Sequence, residues 1–163
     1  MKKPLALLVA VVVIGLAAVL LWPAQSQAPA FALKDLNGQA VSQENFKGKV
    51  TLLNFWYPSC PGCVSEMPKI IKMAHDYEGK PDFQVIGISL PYDPESSVRT
   101  YVGRYQLPFT VAIDTDGSTG RAYGIQAAPS TFLVDKQGRI HKSYVGEPEF
   151  AAVYREVDQL LAR

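Results

Sequence analysis

A chain of 163 residues, 48% of them hydrophobic and 19% charged, can bury one ordinary core and is too short for two. Its 16 basic and 15 acidic side chains give a formal net charge of +1. Such a balance excludes the electrostatic footprint of a nucleic-acid-binding protein and gives no basis for attraction to anionic lipid. We therefore expect a single globular domain and no nucleic-acid partner.

The first 22 residues differ in composition from the rest. Lys2 and Lys3 precede an uncharged apolar stretch, residues 5–22, and the next charged residue is Lys34. At a rise of about 1.5 Å per residue this stretch spans about 27 Å, close to the hydrocarbon thickness of a bilayer, whereas cleaved signal peptides have shorter apolar regions. We predict that residues 1–22 are a single-pass anchor in the cytoplasmic (inner) membrane, with the lysines in the cytoplasm and the catalytic domain on the periplasmic, extracytoplasmic side.

The alternative to an anchor is a cleaved signal sequence. Residues 26–28, Ser-Gln-Ala, form a small-x-small triplet that a signal peptidase could cut. Residues 23–30 are rich in Pro, Gln and Ser and are predicted to be an unstructured tether, which leaves residues 31–163 for the folded domain.

Beyond the tether, predicted strands alternate with predicted helices. In chain order the patterns predict a hairpin about Asn37-Gly38, a strand over 50–57, a helix opening at Cys60, a strand over 83–89, a helix over 95–105, a strand over 111–113, a hairpin of 130–135 with 140–145, and a closing helix over 150–161. Residues 114–117 read as a turn, because the spacing of an EF-hand calcium loop is missing. The order indicates an α/β fold with a mixed sheet covered by helices on both faces.

The two cysteines, Cys60 and Cys63, are the only ones in the chain, and they lie where the first long strand runs into a helix. The first backbone N–H groups of a helix lack intrahelical partners, and the helix dipole adds a partial positive charge. Both effects favour a thiolate at Cys60, which we predict to be the nucleophile. Cys63 lies one turn deeper and is predicted to be more buried and to act as the resolving thiol.

The same cysteine pair could also belong to a zinc site or form a purely structural disulfide. Cys60, Cys63 and His75 have finger-like zinc spacing, but a structural zinc needs four ligands and the second histidine, His141, is far along the chain on a predicted strand. A purely structural disulfide would close a loop too short to remove much chain entropy. Redox chemistry is the interpretation that the spacing favours, with no metal site.

Five segments carry a resemblance to a known family. They are residues 31–38, residues 48–50, Asn54-Phe55-Trp56 before the cysteines, Glu66 and Pro68 in the pattern CxxCxxExP, and residues 123–135 with Gly138. In this order they resemble the TlpA/ResA/DsbE-like branch of the thioredoxin superfamily over about residues 31–163. The resemblance implies a thioredoxin-like fold with an N-terminal β-hairpin and a helical insertion around residues 91–105.

The resemblance also assigns residues to a site. Pro129 would be a cis-proline facing the cysteines, and Ala128 would offer its backbone to an extended substrate. Together with Ala128 and Pro129, Trp56 is expected to bind substrate. The alternative for Pro129 is a trans residue that merely begins a strand. One departure from the family is Ser59, where the family often has tryptophan.

Glu66 lies one helical turn beyond Cys63 and completes the predicted catalytic set. In the resembling proteins a glutamate here is thought to assist proton transfer. A carboxyl group in an apolar cleft would have a raised pKa and could exchange a proton with Cys63. The alternative is an ordinary solvated helix glutamate.

By resemblance, the expected activity is protein thiol-disulfide exchange in the direction of reduction. The implied substrates are haem-site cysteines of apocytochrome c or metal-centre cysteines of respiratory oxidases, with a membrane thiol-transfer protein as electron donor. We expect a monomer without a cofactor. A disulfide-forming oxidase and copper delivery through the CxxC are the alternatives, whereas a peroxiredoxin would need threonine at the position of Tyr57.

Overall fold

The computed structural model describes residues 26–163, which form one mixed seven-stranded sheet with four α-helices. The strands are β1 (Ala32–Asp35), β2 (Ala40–Ser42), β3 (Val50–Trp56), β4 (Phe83–Ser89), β5 (Thr110–Ile113), β6 (Ser130–Val134) and β7 (Ile140–Val145). The helices are α1 (Pro61–Asp76), α2 (Glu95–Tyr105), α3 (Ser118–Ala122) and α4 (Phe150–Leu161), and a short 3₁₀ helix covers Gln43–Phe46. The fold is thioredoxin-like α/β, as the sequence predicted.

The sheet order is β2-β1-β5-β4-β3-β6-β7. The three central strands β3, β4 and β5 run parallel, while β6, β7 and the N-terminal hairpin β1–β2 pair antiparallel at the two sides. Parallel strands need crossover connections, and α1 and α2 supply them. Because β3 and β4 end side by side, the loops after them meet at one edge of the sheet, where α1 begins.

The central strand β3 is buried along its whole length. Its side chains alternate between two core clusters, with Leu52 and Trp56 on one face and Leu53 and Phe55 on the other. Asn54 lies on the face of Leu52 and Trp56, and it is the polar exception within that row.

Helices cover both faces of the sheet, as predicted. The first core cluster takes buried side chains from α1, α2 and α4, among them Met67, Ile70, Val98 and Val157. The opposite cluster is closed by the N-terminal segment, the 3₁₀ helix and the end of α3, through Phe31, Phe46 and Tyr123. The sequence patterns predicted neither the 3₁₀ helix nor α3, because each is a single turn that leaves no periodic stripe.

The turn at residues 114–117 has a structural task. The buried carboxylate of Asp114 accepts the backbone N–H groups of Thr119, at 3.1 Å, and Gly120, at 2.8 Å, at the start of α3. Gly117, with φ +70°, occupies the left-handed conformation that precedes that helix. The acidic residues of this segment therefore serve a turn and a helix start.

The segment predicted as an unstructured tether is partly folded. Ile140 donates its N–H to the carbonyl of Ser26 at 2.8 Å, and Ala28 donates to the carbonyl of Gly138 at 2.9 Å. Gln27 forms an antiparallel bridge with Arg139. The prediction was therefore wrong for residues 26–28, because backbone pairing with the β6–β7 hairpin orders a stretch whose composition gives no sign of it.

The predicted anchor, residues 1–22, lies outside the described residues. Within residues 26–163, no helix has both the length and the apolar character required to cross a bilayer.

Candidate active site

Cys60 and Cys63 form a disulfide at the N-terminus of α1. Cys60 is the N-cap residue, and its Sγ accepts the backbone N–H of Cys63 at 3.1 Å. Pro61 occupies the first helical position, where its missing N–H has no intrahelical partner to lose. When the disulfide is reduced, this N–H and the helix dipole are in place to stabilise a negative charge on Cys60.

Exposure does not distinguish the two cysteines in the oxidised protein. Cys60 is 2% exposed and Cys63 is 1% exposed, and both belong to the core cluster on the α1 face. The prediction that Cys63 is the more buried of the two is therefore not decided in this state and stays a prediction for the reduced protein. The difference in their roles depends instead on position, because Cys60 caps the helix and Cys63 lies inside its first turn.

The loop before β6 covers the disulfide. The Ala128–Pro129 peptide bond is cis, which excludes the trans alternative, and Cys60 Sγ lies 3.6 Å from the carbonyl oxygen of Ala128. A Cβ atom placed on Gly62 would lie 3.1 Å from Pro129 Cδ. Gly62 is therefore the residue that lets the proline pack against the disulfide turn, a requirement that sequence reasoning missed.

Glu66 lies one helical turn beyond Cys63 and is fully buried, with 0% of its surface exposed. Thr131 Oγ1 donates to Glu66 Oε1 at 3.4 Å and accepts from Asn54 Nδ2 at 2.9 Å. Asn54 and Thr131 face each other across the β3–β6 ladder, so the sheet itself fixes this chain of contacts. Within the described residues Glu66 Oε2 has no hydrogen-bond partner. The alternative of a solvated helix glutamate is therefore wrong.

Burial raises the pKa of Glu66 to about 7. The hydrogen bond from Thr131 acts in the opposite direction, and the nearby charge of Glu147 adds to the increase. Near neutral pH this carboxyl group is therefore present in both protonation states, which is the condition for a group that accepts and returns a proton. Cys63 lies one turn before it on the same buried face of α1.

The position of Trp56 bears on its predicted contact with substrate. Its side chain is fully buried, packs against Tyr101 at a ring-centroid distance of 5.1 Å, and occupies the space left by Gly87. Trp56 is thus a core residue in this structure: as the last residue of β3 it points to the α1–α2 face and supports it, and a contact between Trp56 and substrate stays a prediction.

Accessible apolar side chains do occur around the disulfide. Tyr92, 69% exposed, packs its ring against Tyr57 at a centroid distance of 4.8 Å, just before the cysteines. Val64 is exposed on the first turn of α1, and Val145 is exposed at the end of β7, where it pairs with Ser130 beside the cis-proline. The surface around the disulfide thus offers apolar contacts that the sequence patterns did not identify.

The histidines lie apart from the cysteines. His75 contacts Glu78 at 3.6 Å, and His141 lies 2.7 Å from Glu156. In the part of the chain that the structure describes, no group of three or more His, Cys, Asp or Glu side chains is arranged to hold a metal ion. The arrangement can perform thiol-disulfide exchange, with a helix-start sulfur, an adjacent partner sulfur and a buried group that titrates near neutrality.

Comparison with known proteins gives a consistent result. Residues 23–159 match the Redoxin family. The thiol-disulfide oxidoreductase ResA of Bacillus thuringiensis subsp. konkukian is 35% identical over 121 residues, covering 74% of this chain and 69% of the relative. The thioredoxin-like protein YneN of Bacillus subtilis is 35% identical over 120 residues, covering 74% and 70%. The solution structure of a Neisseria meningitidis protein provisionally assigned as a thioredoxin shares 54% identity, covers 85% of this chain and 92% of its own, and superposes with a TM-score of 0.78.

Proposed function

This chain belongs to the Redoxin family and is a thiol-disulfide oxidoreductase, and from that premise we propose that it reduces protein disulfides outside the cytoplasm. The observation that carries the direction of the reaction is the fully buried carboxyl group of Glu66, one helical turn beyond Cys63 on the buried face of α1. A group whose ionised form is negative gives no support to a thiolate, and a disulfide oxidant requires a strongly stabilised thiolate in its reduced form.

The exchange starts from the dithiol. The Cys60 thiolate attacks one sulfur of the substrate disulfide, forms a mixed disulfide, and releases the other substrate sulfur as a thiolate that takes up a proton. Cys63 then loses its proton and attacks Cys60 Sγ, which closes the Cys60–Cys63 disulfide and releases the second substrate sulfur as a thiolate that is likewise protonated. Two electrons pass to the substrate, and a membrane thiol-transfer protein restores the dithiol.

Glu66 is the proton acceptor for the second attack. A thiol has an ordinary pKa of about 8.5, so Cys63 is largely protonated at neutral pH and needs a base. The pKa of Glu66, raised to about 7 by burial, makes its ionised form a stronger base than an exposed carboxylate. The proton accepted there returns to the substrate thiolate or to solvent when the product leaves.

The proposed location is the periplasmic side of the inner membrane, with a monomeric domain held by the N-terminal segment. This proposal is supported by Lys2, Lys3 and the uncharged stretch of residues 5–22. The proposed substrates are the haem-site cysteines of apocytochrome c or the metal-centre cysteines of respiratory oxidases. A segment presented in extended form could pair with the backbone of Ala128 beside the disulfide.

The redox potential tests the direction of the reaction. We expect the full chain, equilibrated with mixtures of reduced and oxidised dithiothreitol, to have a potential near the roughly −270 mV of thioredoxin rather than the roughly −120 mV of DsbA. A value near that of DsbA would mean that the protein is an oxidase and not a reductant.

Metal analysis of the reduced protein after incubation with Cu(I) tests copper delivery, and stoichiometric retention of copper would favour that alternative.

Substrate and location need separate measurements. We expect the reduced protein to open the disulfide of an oxidised CxxCH peptide faster than that of the same peptide with its histidine replaced by alanine, if haem-site cysteines are the substrate. Equal rates would show that the protein has no preference for haem-site cysteines.

A periplasm-dependent reporter fused after Arg163 is expected to be active and to remain with membranes after a high-salt wash.

A further inference from the structure

The loop that joins β4 to α2 contacts the segment just before Cys60. Asp93 Oδ2 accepts the backbone N–H of Ser59 at 2.7 Å, across 34 positions of sequence. On the neighbouring residue, Tyr92 packs its ring against Tyr57. Two consecutive side chains of one loop therefore hold the residues that lead into the nucleophile.

The backbone of this loop favours a fixed position for the carboxylate. Pro91 and Pro94 flank Tyr92 and Asp93 and restrict the backbone on both sides. The N–H of Leu90 donates to the carbonyl of Trp56 at 2.8 Å, which joins the ends of β4 and β3 directly before the loop. Asp93 is half-buried, so its charge is only partly screened by solvent.

The position of Asp93 has an electrostatic consequence. Its carboxylate lies against the peptide N–H one residue before the N-cap, at the positive end of α1. On reduction, the Cys60 thiolate depends on that same positive helix end and on the N–H of Cys63. The Asp93 carboxylate accepts from the residue directly before Cys60, so a thiolate at Cys60 adds a second negative charge to the same helix start. The two charges repel, and the repulsion raises the free energy of the thiolate.

We propose that Asp93 is a positioning residue that holds the Ser59 peptide and, through its negative charge, limits the stabilisation of the Cys60 thiolate. The effect is to keep the redox potential of the Cys60–Cys63 pair low. A low potential suits the reductant role proposed above, and the biological meaning of this inference rests on that proposal. Other charged groups near the start of α1 include Glu66 inside the core, the Lys69–Glu147 ion pair on the surface, and Arg104 of α2, which lines a groove together with Pro58 and Val64.

The test compares three variants of the full chain. Asp93→Asn keeps an oxygen that can accept from Ser59 but removes the charge, Asp93→Ala removes both, and Glu95→Gln is the matched control. Glu95 lies two residues away in the first turn of α2 and is ion-paired with Arg99, so the control removes an equal charge without touching the Ser59 contact.

Thiolate absorbance at 240 nm, followed against pH in the reduced protein, reports the Cys60 pKa. We expect Asp93→Asn and Asp93→Ala to lower it by about 0.5 to 1 unit relative to wild type, the range for one partly screened neighbouring charge. At pH 7 the equilibrium with dithiothreitol is expected to shift about two- to fivefold towards the reduced form. Only Asp93→Ala is expected to lower the thermal unfolding midpoint, because asparagine preserves the hydrogen bond to Ser59.

Three outcomes would overturn the proposal. Unchanged thiolate titrations in both Asp93 variants would leave the residue as a loop contact without an electrostatic role. Equal shifts in Glu95→Gln would show that net charge, not position, is responsible. A shift in Asp93→Ala alone would assign the effect to loop geometry. The wild-type potential judges the reductant proposal separately, because the Asp93 test depends only on differences between variants.

Discussion

Replacing Glu66 with glutamine is expected to change how the stability of the domain depends on pH. The carboxyl group is 0% exposed, and burial raises its pKa from 4.5 in an exposed glutamate to about 7. Glutamine has nearly the same shape, and its oxygen can accept from Thr131 as Glu66 Oε1 does at 3.4 Å. The substitution therefore removes the titration and leaves the packing largely intact.

The magnitude follows from proton linkage. The native state keeps the Glu66 proton to a higher pH than the unfolded chain does, so its contribution to stability is complete below about pH 4.5 and is lost as the pH rises through about 7. Each pKa unit corresponds to about 1.4 kcal/mol, so the full loss is about 3 kcal/mol. Glu66→Gln has no such loss, and its advantage over wild type is expected to grow from near zero at pH 4.5 to about 3 kcal/mol at pH 8.

Urea unfolding of the oxidised proteins, followed by circular dichroism between pH 4.5 and pH 8, measures this difference. Glu78→Gln is the matched control, because it removes an exposed carboxylate just beyond the C-terminus of the same helix. Parallel stability curves for wild type and Glu66→Gln across this range would refute the reasoning. They would mean that Glu66 titrates in the native protein as it does in the unfolded chain.

Two further predictions concern the cysteines and the turn before α3. Cys63→Ser is expected to accumulate mixed disulfides with protein substrates through Cys60, because the resolving attack is missing, whereas Cys60→Ser is expected to trap few. Non-reducing gels measure this difference, and the reverse pattern would exchange the two roles. Asp114→Ala is expected to lower the free energy of unfolding at pH 7 by about 2 to 4 kcal/mol, because the buried N–H groups of Thr119 and Gly120 lose their acceptor. A change below about 0.5 kcal/mol would show that water replaces the Asp114 carboxylate as acceptor.

Local patterns were sufficient for the main elements of the fold. The strand predicted over residues 83–89 and the helix over 95–105 have the predicted bounds in the structure, and the strand predicted over 50–57 ends one residue earlier. Periodicity carries this information because each of these elements buries one face or both against the same sheet. The cysteine pair needed no tertiary information either, because the strand-to-helix junction that holds it is local in sequence.

Contacts between distant segments were beyond those patterns. The Ser59–Asp93 hydrogen bond joins two loops that meet only because β3 and β4 end side by side. The burial of Trp56 depends on the absence of a side chain at Gly87, on the neighbouring strand. The ordering of Gln27 depends on a bridge to Arg139. In each case the deciding partner lies more than 30 residues away, where composition and periodicity carry no signal.

The burial of Glu66 makes its chemical role and its effect on stability inseparable. A domain selected for stability alone would gain from an apolar side chain at this position, as at Met67 and Ile70 on the same helix. Ionisation of Glu66 instead lowers the free energy of unfolding by about 3 kcal/mol above neutral pH. This is the pH range where Cys63 must give up its proton for exchange to finish. Because desolvation is the largest cause of the raised pKa, a variant that lets water reach Glu66 is expected both to reduce the pH-dependent loss of stability and to weaken the proton acceptor. If a variant lowers the pKa of Glu66 and leaves the pH dependence of exchange unchanged, the carboxyl group does not take the proton of Cys63.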